Sequence, residues 1–328
     1  MGLTLLVASA GGHLAELYRL RSRLPDAGSD SFWITVDHPH GRSLLADEET
    51  FFVPDAPSRN IGAAIRNAAL TVPLLRKLGP TWVVSNGASL AVSVLPLAAA
   101  MGVPCTYIEN SVRVGGPSLA GRLVSYVPGI SVFTQYPHLA SPRWRLTGSF
   151  LDAWQRAPSE FPRKIQRVVV TVGTTEWTFR RLFEQLVRVI PPDCDVVWQT
   201  GATDVSDLGL SGVRFLPSRV LERAVKDADL VIAHAGIGAA VLALDAGKVP
   251  ILVPRLKAFG EAVDDHQVDV ARELARRGLC FNCNVERLDG QLLQQACAAE
   301  VAPRIAPPTL VLGGRDAGTR PPFLNAKG

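Results

Sequence analysis

Ser9-Ala10-Gly11-Gly12-His13, directly after the first apolar run, are the first residues whose types and spacing could do chemistry. Two glycines between a strand and a helix let the backbone turn sharply and approach a ligand closely, and the helix start favours an anion. The spacing is not G-x-G-x-x-G and no phosphate-binding lysine follows, so neither the dinucleotide fingerprint nor a Walker A loop is present. What remains is a histidine in the first helical turn. The helix dipole opposes its protonation, and a neutral imidazole beside a cleft suits a general base. The competing reading is a histidine that only caps or packs.

Four further groups stand where apolar runs end. Glu109 closes "CTYIE", with Arg113 four residues on; a carboxylate there could orient His13 or bind a sugar hydroxyl, or simply be solvated. Gly173, Thr174 and Thr175 follow "VVVTV" and offer amides and hydroxyls to phosphate oxygens. His234, Ala235, Gly236, Ile237 and Gly238 follow "DLVIA", where small residues at a helix start leave unpaired amides for a diphosphate. Asp264, Asp265, His266 and Gln267 crowd one helix start, as a cap with solvated neighbours or as hydrogen-bonding groups matched to sugar hydroxyls. Asp193-Cys194-Asp195 has the D-x-D form of a metal-dependent sugar transferase, but it follows Pro191-Pro192 and opens a strand, so it reads as a strand-entry turn. No metal site is expected.

The elements that must position these groups alternate strand and helix, twice. Continuous rather than alternating apolar strands imply parallel sheets covered on both faces. The fold class is therefore α/β, with two doubly wound Rossmann-like domains facing each other across a cleft, where open α/β folds bind ligands. The first domain spans 1–151 and the second 165–304. Polar, proline-containing 152–164 reads as the linker, and Pro- and Gly-rich 305–328 as a loosely attached tail. In the second domain "GVRFLP" reads as a strand, Ser218 as the cap of the next helix, and Gly247 as the end of the helix after His234.

Composition bounds the class. In 328 residues no apolar run reaches 18, so no membrane-spanning helix is expected, and Leu3 to Ala8 is too short for a secretory core. Five cysteines, an odd number, argue for a reducing compartment over a disulfide framework, and Cys280-x-x-Cys283 lacks a second ligand pair. Residues 1–164 hold 15 Lys and Arg against 11 Asp and Glu, and the remainder 19 against 19, so the net +4 lies in the first half. That suits an anionic partner or a membrane surface.

Together, "SAGGHLAE", "SNGASLAVSVLPLAAAMGVPCTYIENSVRV" and "SLAGRL", then "VTVGTTEWTF", "ADLVIAHAGIGAAVLALDAGKVPILVPR" and "DDHQ", resemble the inverting GT-B glycosyltransferases of family 28. Their order resembles a fusion of the two subunits of the dolichol-linked UDP-GlcNAc transferase. Bacterial exopolysaccharide transferases and the lipid II-forming GlcNAc transferase are similar too. The resemblance implies a UDP-sugar bound by the second domain, no metal cofactor and no nucleic-acid partner. It implies a lipid-linked or small-molecule acceptor at the first domain, with Gly11, Gly12 and Arg113 on the acceptor side. His13 would be the base and Glu109 a supporting acid/base or acceptor-binding group. His234 to Gly238 would hold the diphosphate with Thr174 and Thr175 nearby, while Asp265, His266 and Gln267 would contact the donor sugar. Relatives often carry a ribose-binding glutamate where Leu242 stands here, which leaves Asp245 or a backbone group to substitute. A cytoplasmic enzyme follows, peripheral to the inner face of the membrane through Arg59 to Leu78, unless that apolar stripe faces the core. A sugar-nucleotide epimerase or hydrolase, or a non-catalytic glycan-binding partner, are the other functions such a scaffold could serve.

Overall fold

The computed structural model describes residues 2–25, 30–57, 60–158 and 164–312. The first part contains β1 (Thr4–Ala8), α1 (Gly12–Leu20), β2 (Ser31–Val36), α2 (Pro39–Leu44), β3 (Thr50–Val53), α3 (Ile61–Leu78) and β4 (Trp82–Ser85). It continues through α4 (Ala88–Ala100), β5 (Cys105–Ile108), α5 (Leu119–Ser125), β6 (Ile130–Thr134) and β7 (Trp144–Leu146). After β8 (Trp154–Ala157) come β9 (Arg167–Thr171), α6 (Arg180–Val189), β10 (Asp195–Gln199), α7 (Ser218–Asp227), β11 (Leu230–His234) and α8 (Ile237–Asp245). The last elements are β12 (Ile251–Val253), α9 (His266–Arg276), β13 (Phe281–Asn282), α10 (Gly290–Cys297) and β14 (Glu300–Pro303).

The first seven strands form one parallel sheet in the order β3-β2-β1-β4-β5-β6-β7, and five form a second in the order β10-β9-β11-β12-β13. Every residue of β1 and β4 is buried, as strands sandwiched between helices on both faces must be. One face of the first sheet packs against α3, α4 and α5 through Leu75, Leu90, Val94 and Val124. The other receives Leu14, Leu17 and Leu20 of α1 in a cluster that continues through Phe150 and Trp154 to Leu244 and Leu274 of the second part.

Four features differ from their sequence reading. Within 152–164, Asp152 and Ala153 end a 3-10 turn, and Trp154–Ala157 is β8, paired antiparallel with β14. The reason is Trp154, which is buried edge-on against Phe150 and anchors the segment before Pro158. Residues 159–163 of that linker lie outside the described residues. The segment after Arg304 is not loose where described. Leu310 is buried, its amide donates to Arg23 O, and Arg23 Nε donates to Pro308 O, so the chain returns to the first domain. Residues 313–328 lie outside the described residues. "GVRFLP" contributes only an isolated bridge from Val213 to Gln199, because Val213 and Phe215 face solvent. Ser218 is the first residue of α7 and makes no capping bond. Gly247 does stop α8, at φ +76°.

Candidate active site

β1 is flanked by β2 on one side and β4 on the other, so the connections from its carboxyl end and that of β4 leave in opposite directions and open a crevice. His13 stands in that crevice, half-buried. Its Nδ1 lies 3.0 Å from Asn86 O, and Asn86 Nδ2 donates to His13 O at 2.7 Å. A carbonyl only accepts, so this bond places the proton on Nδ1 and leaves a lone pair on Nε2. Asn110, beyond β5, sets its amide Nδ2 at 3.3 Å from the same Nδ1, a longer approach that is no hydrogen bond when Nδ1 carries the proton, while its Oδ1 accepts from Val112 N. Burial lowers the basicity of His13, the Asn86 bond opposes this, and the Arg113 charge adds to the lowering. Gly87, at φ +124°, gives the ring its room: a Cβ there would lie 3.1 Å from His13 Cε1. A Cβ on Gly11 or Gly12 would meet nothing within 4 Å, so those two glycines leave open space beside the histidine.

Glu109 is not brought to His13. Its Oε2 accepts from Ser118 N at 2.8 Å and Ser118 Oγ at 3.1 Å, and Oε1 accepts from Tyr107 OH at 3.1 Å. It is buried at the start of α5, and burial raises its pKa against those bonds. The carboxylate that supports the histidine's surroundings is Glu16, which sequence reasoning passed over. Glu16 accepts from Ser111 Oγ at 2.7 Å, Ser111 N at 3.1 Å and Gln135 Nε2 at 2.6 Å. Ser111 adjoins Asn110, so a carboxylate one turn along α1 fixes the loop that faces His13. The signal was available: Glu16 lies among Leu14, Leu17 and Leu20, on the buried side of the helix.

The second sheet repeats the arrangement, with β9 between β10 and β11. The loop after β9 carries Gly173, Thr174 and Thr175, and that after β11 carries Ala235 and Gly236 before Ile237 opens α8. The His234 ring wedges between them: a Cβ on Gly173 would lie 2.8 Å from its Cε1, and one on Gly236 would overlap its Nε2. Burial and the Arg255 charge lower the His234 pKa to about 4, so it is neutral at pH 7. It spaces the loops without adding charge. α8 has no side-chain cap, which leaves its first amides, with exposed Gly238, open to a ligand. Asp265 and His266 are exposed at the start of α9, but both have partners: Asp265 Oδ1 accepts from Lys257 N, and His266 Nδ1 meets Asp264. Gln267 is buried and its Oε1 accepts from Arg255 N at 3.1 Å.

Residues 167–302 match the model of the glycosyltransferase family 28 C-terminal domain. This part of the chain, about two fifths of it, is similar to that C-terminal domain. A stretch of 137 residues is 31% identical to the UDP-N-acetylglucosamine transferase subunit ALG13 of Mus musculus, covering 36% of this chain and 11% of that protein. The chain thus spans about a tenth of that relative's length. As a whole the chain has the GT-B fold. It superposes on MurG of Acinetobacter baumannii with a TM-score of 0.57 at 17% identity, covering 89% of this chain and 88% of that one. SnogD, a glycosyltransferase of Streptomyces nogalater, gives 0.56 at 19% identity, with 91% and 92% covered. MnaA of S. aureus, in complex with UDP, gives 0.55 at 11%, with 90% and 91% covered.

The second domain meets the first along the cleft. Arg19 of α1 pairs with Asp245 at the end of α8, Nη1 to Oδ1 at 2.9 Å, so the carboxylate is engaged between the two domains. Leu242 packs among apolar residues. Arg113 is exposed, and its charge acts on His13 in one domain and Asp264 in the other. A Cβ on Gly115 would lie 3.0 Å from Asp269 Oδ2 of α9, so the β5–α5 loop reaches the second domain. The geometry therefore gathers Gly11, Gly12, His13 and Arg113 on one side and Gly173 to Thr175 with His234 to Gly238 on the other. Asp195 opens β10 and Asp193 pairs with Lys164. Among the described residues no group of three or more His, Cys, Asp or Glu side chains is placed to hold a metal.

Proposed function

We propose that the protein transfers a glycosyl group from a UDP-sugar, with inversion, to a hydroxyl of a lipid-linked acceptor. The observation that carries this reading is the His13 Nε2 lone pair, set by the Asn86 bond in a crevice across the cleft from a helix start with free amides. In the reaction the acceptor hydroxyl gives its proton to Nε2 while its oxygen attacks the anomeric carbon. The bond from that carbon to the diphosphate oxygen breaks, and the electron pair leaves with the diphosphate. Amides of Ile237 and Gly238 meet the charge that develops there, an electrostatic contribution that costs little reorganisation. Attack and departure on opposite faces invert the centre. The UDP held by the MnaA neighbour and the UDP-sugar named for the mouse relative support uridine in the donor. Incubation with a panel of nucleotide sugars, with and without a polyprenyl-diphosphate sugar, tests the reading. Acceptor-dependent UDP release that EDTA leaves unchanged is expected. Isomerisation without acceptor would point to an epimerase instead, and strong EDTA inhibition to a metal-dependent transferase.

The lipid-linked acceptor rests on a surface. No helix among the described residues is long and apolar enough to cross a membrane. The core face of α3 is Ala63, Asn67, Thr71 and Leu75, which leaves Ile61 74% and Ile65 64% exposed. On α5, Leu119 and Leu123 are exposed too, and Arg66 and Arg122 stand beside these residues in sequence. Helices in a parallel αβ sheet start at the carboxyl edge of the strands, so both helix starts lie at the edge where His13 stands. Apolar side chains flanked by arginines suit an anionic bilayer surface. Ile65→Glu combined with Leu123→Glu is expected to lower binding to vesicles of anionic phospholipid by about 10-fold or more, with UDP affinity unchanged. Equal vesicle binding would remove this face from the proposal.

A further inference from the structure

The second crevice contains a cation that the reaction above does not use. Arg255 follows β12 by two residues and is 1% exposed. Its Nη1 donates to Thr175 Oγ1 and its Nη2 to Val172 O at 2.7 Å, and the guanidinium carbon lies 5.6 Å from the centre of the Phe179 ring. Nε is buried and has no hydrogen-bond partner. No ion pair involves Arg255 among the described residues. Glu261 is the carboxylate whose charge it feels, and Glu261 is committed elsewhere: its oxygens accept from Arg181 Nε at 2.7 Å and Arg181 Nη2 at 3.0 Å, and from Leu256 N.

A buried guanidinium stays charged, and a buried charge without a counterion is costly. His234 cannot balance it, and its imidazole is held neutral beside it. The loop that Arg255 grips, Val172 to Thr175, forms one wall of the crevice whose other wall is the uncapped start of α8. Both the unpaired Nε and the free amides await negative charge.

We propose that Arg255 is a positioning residue for the donor diphosphate: it holds the Val172–Thr175 wall through Thr175 and Val172, and its charge is the fixed counterion of the bound diphosphate. This rests on the reading of the second crevice as the UDP-sugar site. Through the low-dielectric interior, that charge lowers the cost of the departing diphosphate as well as of the bound one.

Calorimetric titration with UDP, and with uridine as the phosphate-free control, separates charge from scaffolding. Arg255→Met is expected to weaken UDP binding by about 10- to 100-fold and leave uridine binding unchanged. Arg255→Lys, which keeps the charge without the two-pronged grip, is expected to bind UDP several-fold better than Arg255→Met. Equal losses for UDP and uridine in Arg255→Met, or undiminished UDP binding, would overturn the role of Arg255 while leaving the donor site standing. If Arg255→Met does not fold, Arg255→Lys carries the test against Arg255→Gln: a folded Lys variant no better than Gln at binding UDP also overturns it. An unsubstituted protein that binds neither ligand overturns the donor-site reading itself.

Discussion

Replacing His13 with alanine is expected to lower glycosyl transfer by about 10²- to 10⁴-fold, the usual contribution of a positioned base, while UDP binding is retained. The two effects separate because the imidazole belongs to the first domain and the helix start proposed to receive the diphosphate belongs to the second. His13→Asn is the sharper variant. Its side-chain amide can still donate to Asn86 O in place of Nδ1, so the local fold survives, but nothing replaces the Nε2 lone pair. The pH profile supplies a second readout. Burial puts the His13 pKa below the usual 6.5, so the base is fully present at neutral pH. Activity should fall only as pH drops through that lowered pKa, and the His13→Asn variant should lose this acid limb. Turnover by both variants at the parent rate would remove His13 from the mechanism.

That histidine could be singled out in the sequence because its local signal is complete: an apolar strand, two glycines and a helix start in one short stretch. The two loops proposed for the donor were legible as strand-end loops on the same grounds, since continuous apolar strands ending in small residues imply parallel strands with open carboxyl ends. The neighbours of His13 were not. Asn86 and Asn110 lie 73 and 97 residues away, and meet it only because β4 and β5 come to rest beside β1. Glu109 ends the right strand, yet its carboxylate turns toward Ser118, a preference decided by the start of α5. Asp245 is claimed across the cleft by Arg19, a contact between domains that no local pattern encodes.

The errors of segment have the same origin. Trp154 makes a strand of a stretch whose composition reads as linker, because a tryptophan buried against Phe150 outweighs the prolines that follow. "GVRFLP" has strand composition and runs beside the outer edge of β10, yet pairs there only through a single bridge at Gln199. The isoleucines at the start of α3 read as core or as membrane stripe on periodicity alone. Burial of Asn67 and Thr71 in their place turns them outward: Asn67 Nδ2 donates to Pro54 O and Thr71 Oγ1 to Ala68 O, although Asn67 Oδ1 is left without a partner on the inner face.

The largest stability effect is expected at Glu16, which reaches the site only through Ser111 and Gln135. Gln135 cannot turn to help itself: its Oε1 already accepts from Phe150 N, so Nε2 must find an acceptor in Glu16 and in Glu109 O. Glu16→Ala leaves the Ser111 amide and hydroxyl short of an acceptor in a sealed space and is expected to cost about 3 kcal/mol or more, read as a lowered denaturation midpoint. Glu16→Gln should fold, because one amide oxygen serves Gln135 and Ser111 N while the amide nitrogen donates to Ser111 Oγ. It also tests the charge. Burial raises the Glu16 pKa from 4.5 to about 7; the hydrogen bonds from Ser111 and Gln135 oppose the rise and the nearby Glu109 charge adds to it. The folded protein therefore binds more protons at this site than the unfolded chain between those two values. The sign is opposite to that of a salt-bridged carboxylate: this contribution is fully present below about pH 4.5, declines as pH rises to about 7, and is flat above. Glu16→Gln has no proton to lose, so it should gain stability relative to the parent across that window, by about 3 kcal/mol at most. Denaturation curves of parent and variant that stay parallel from pH 5 to pH 8 would show that Glu16 is ionised throughout. The loop that faces His13 would then be held by a charge and not by a shared proton.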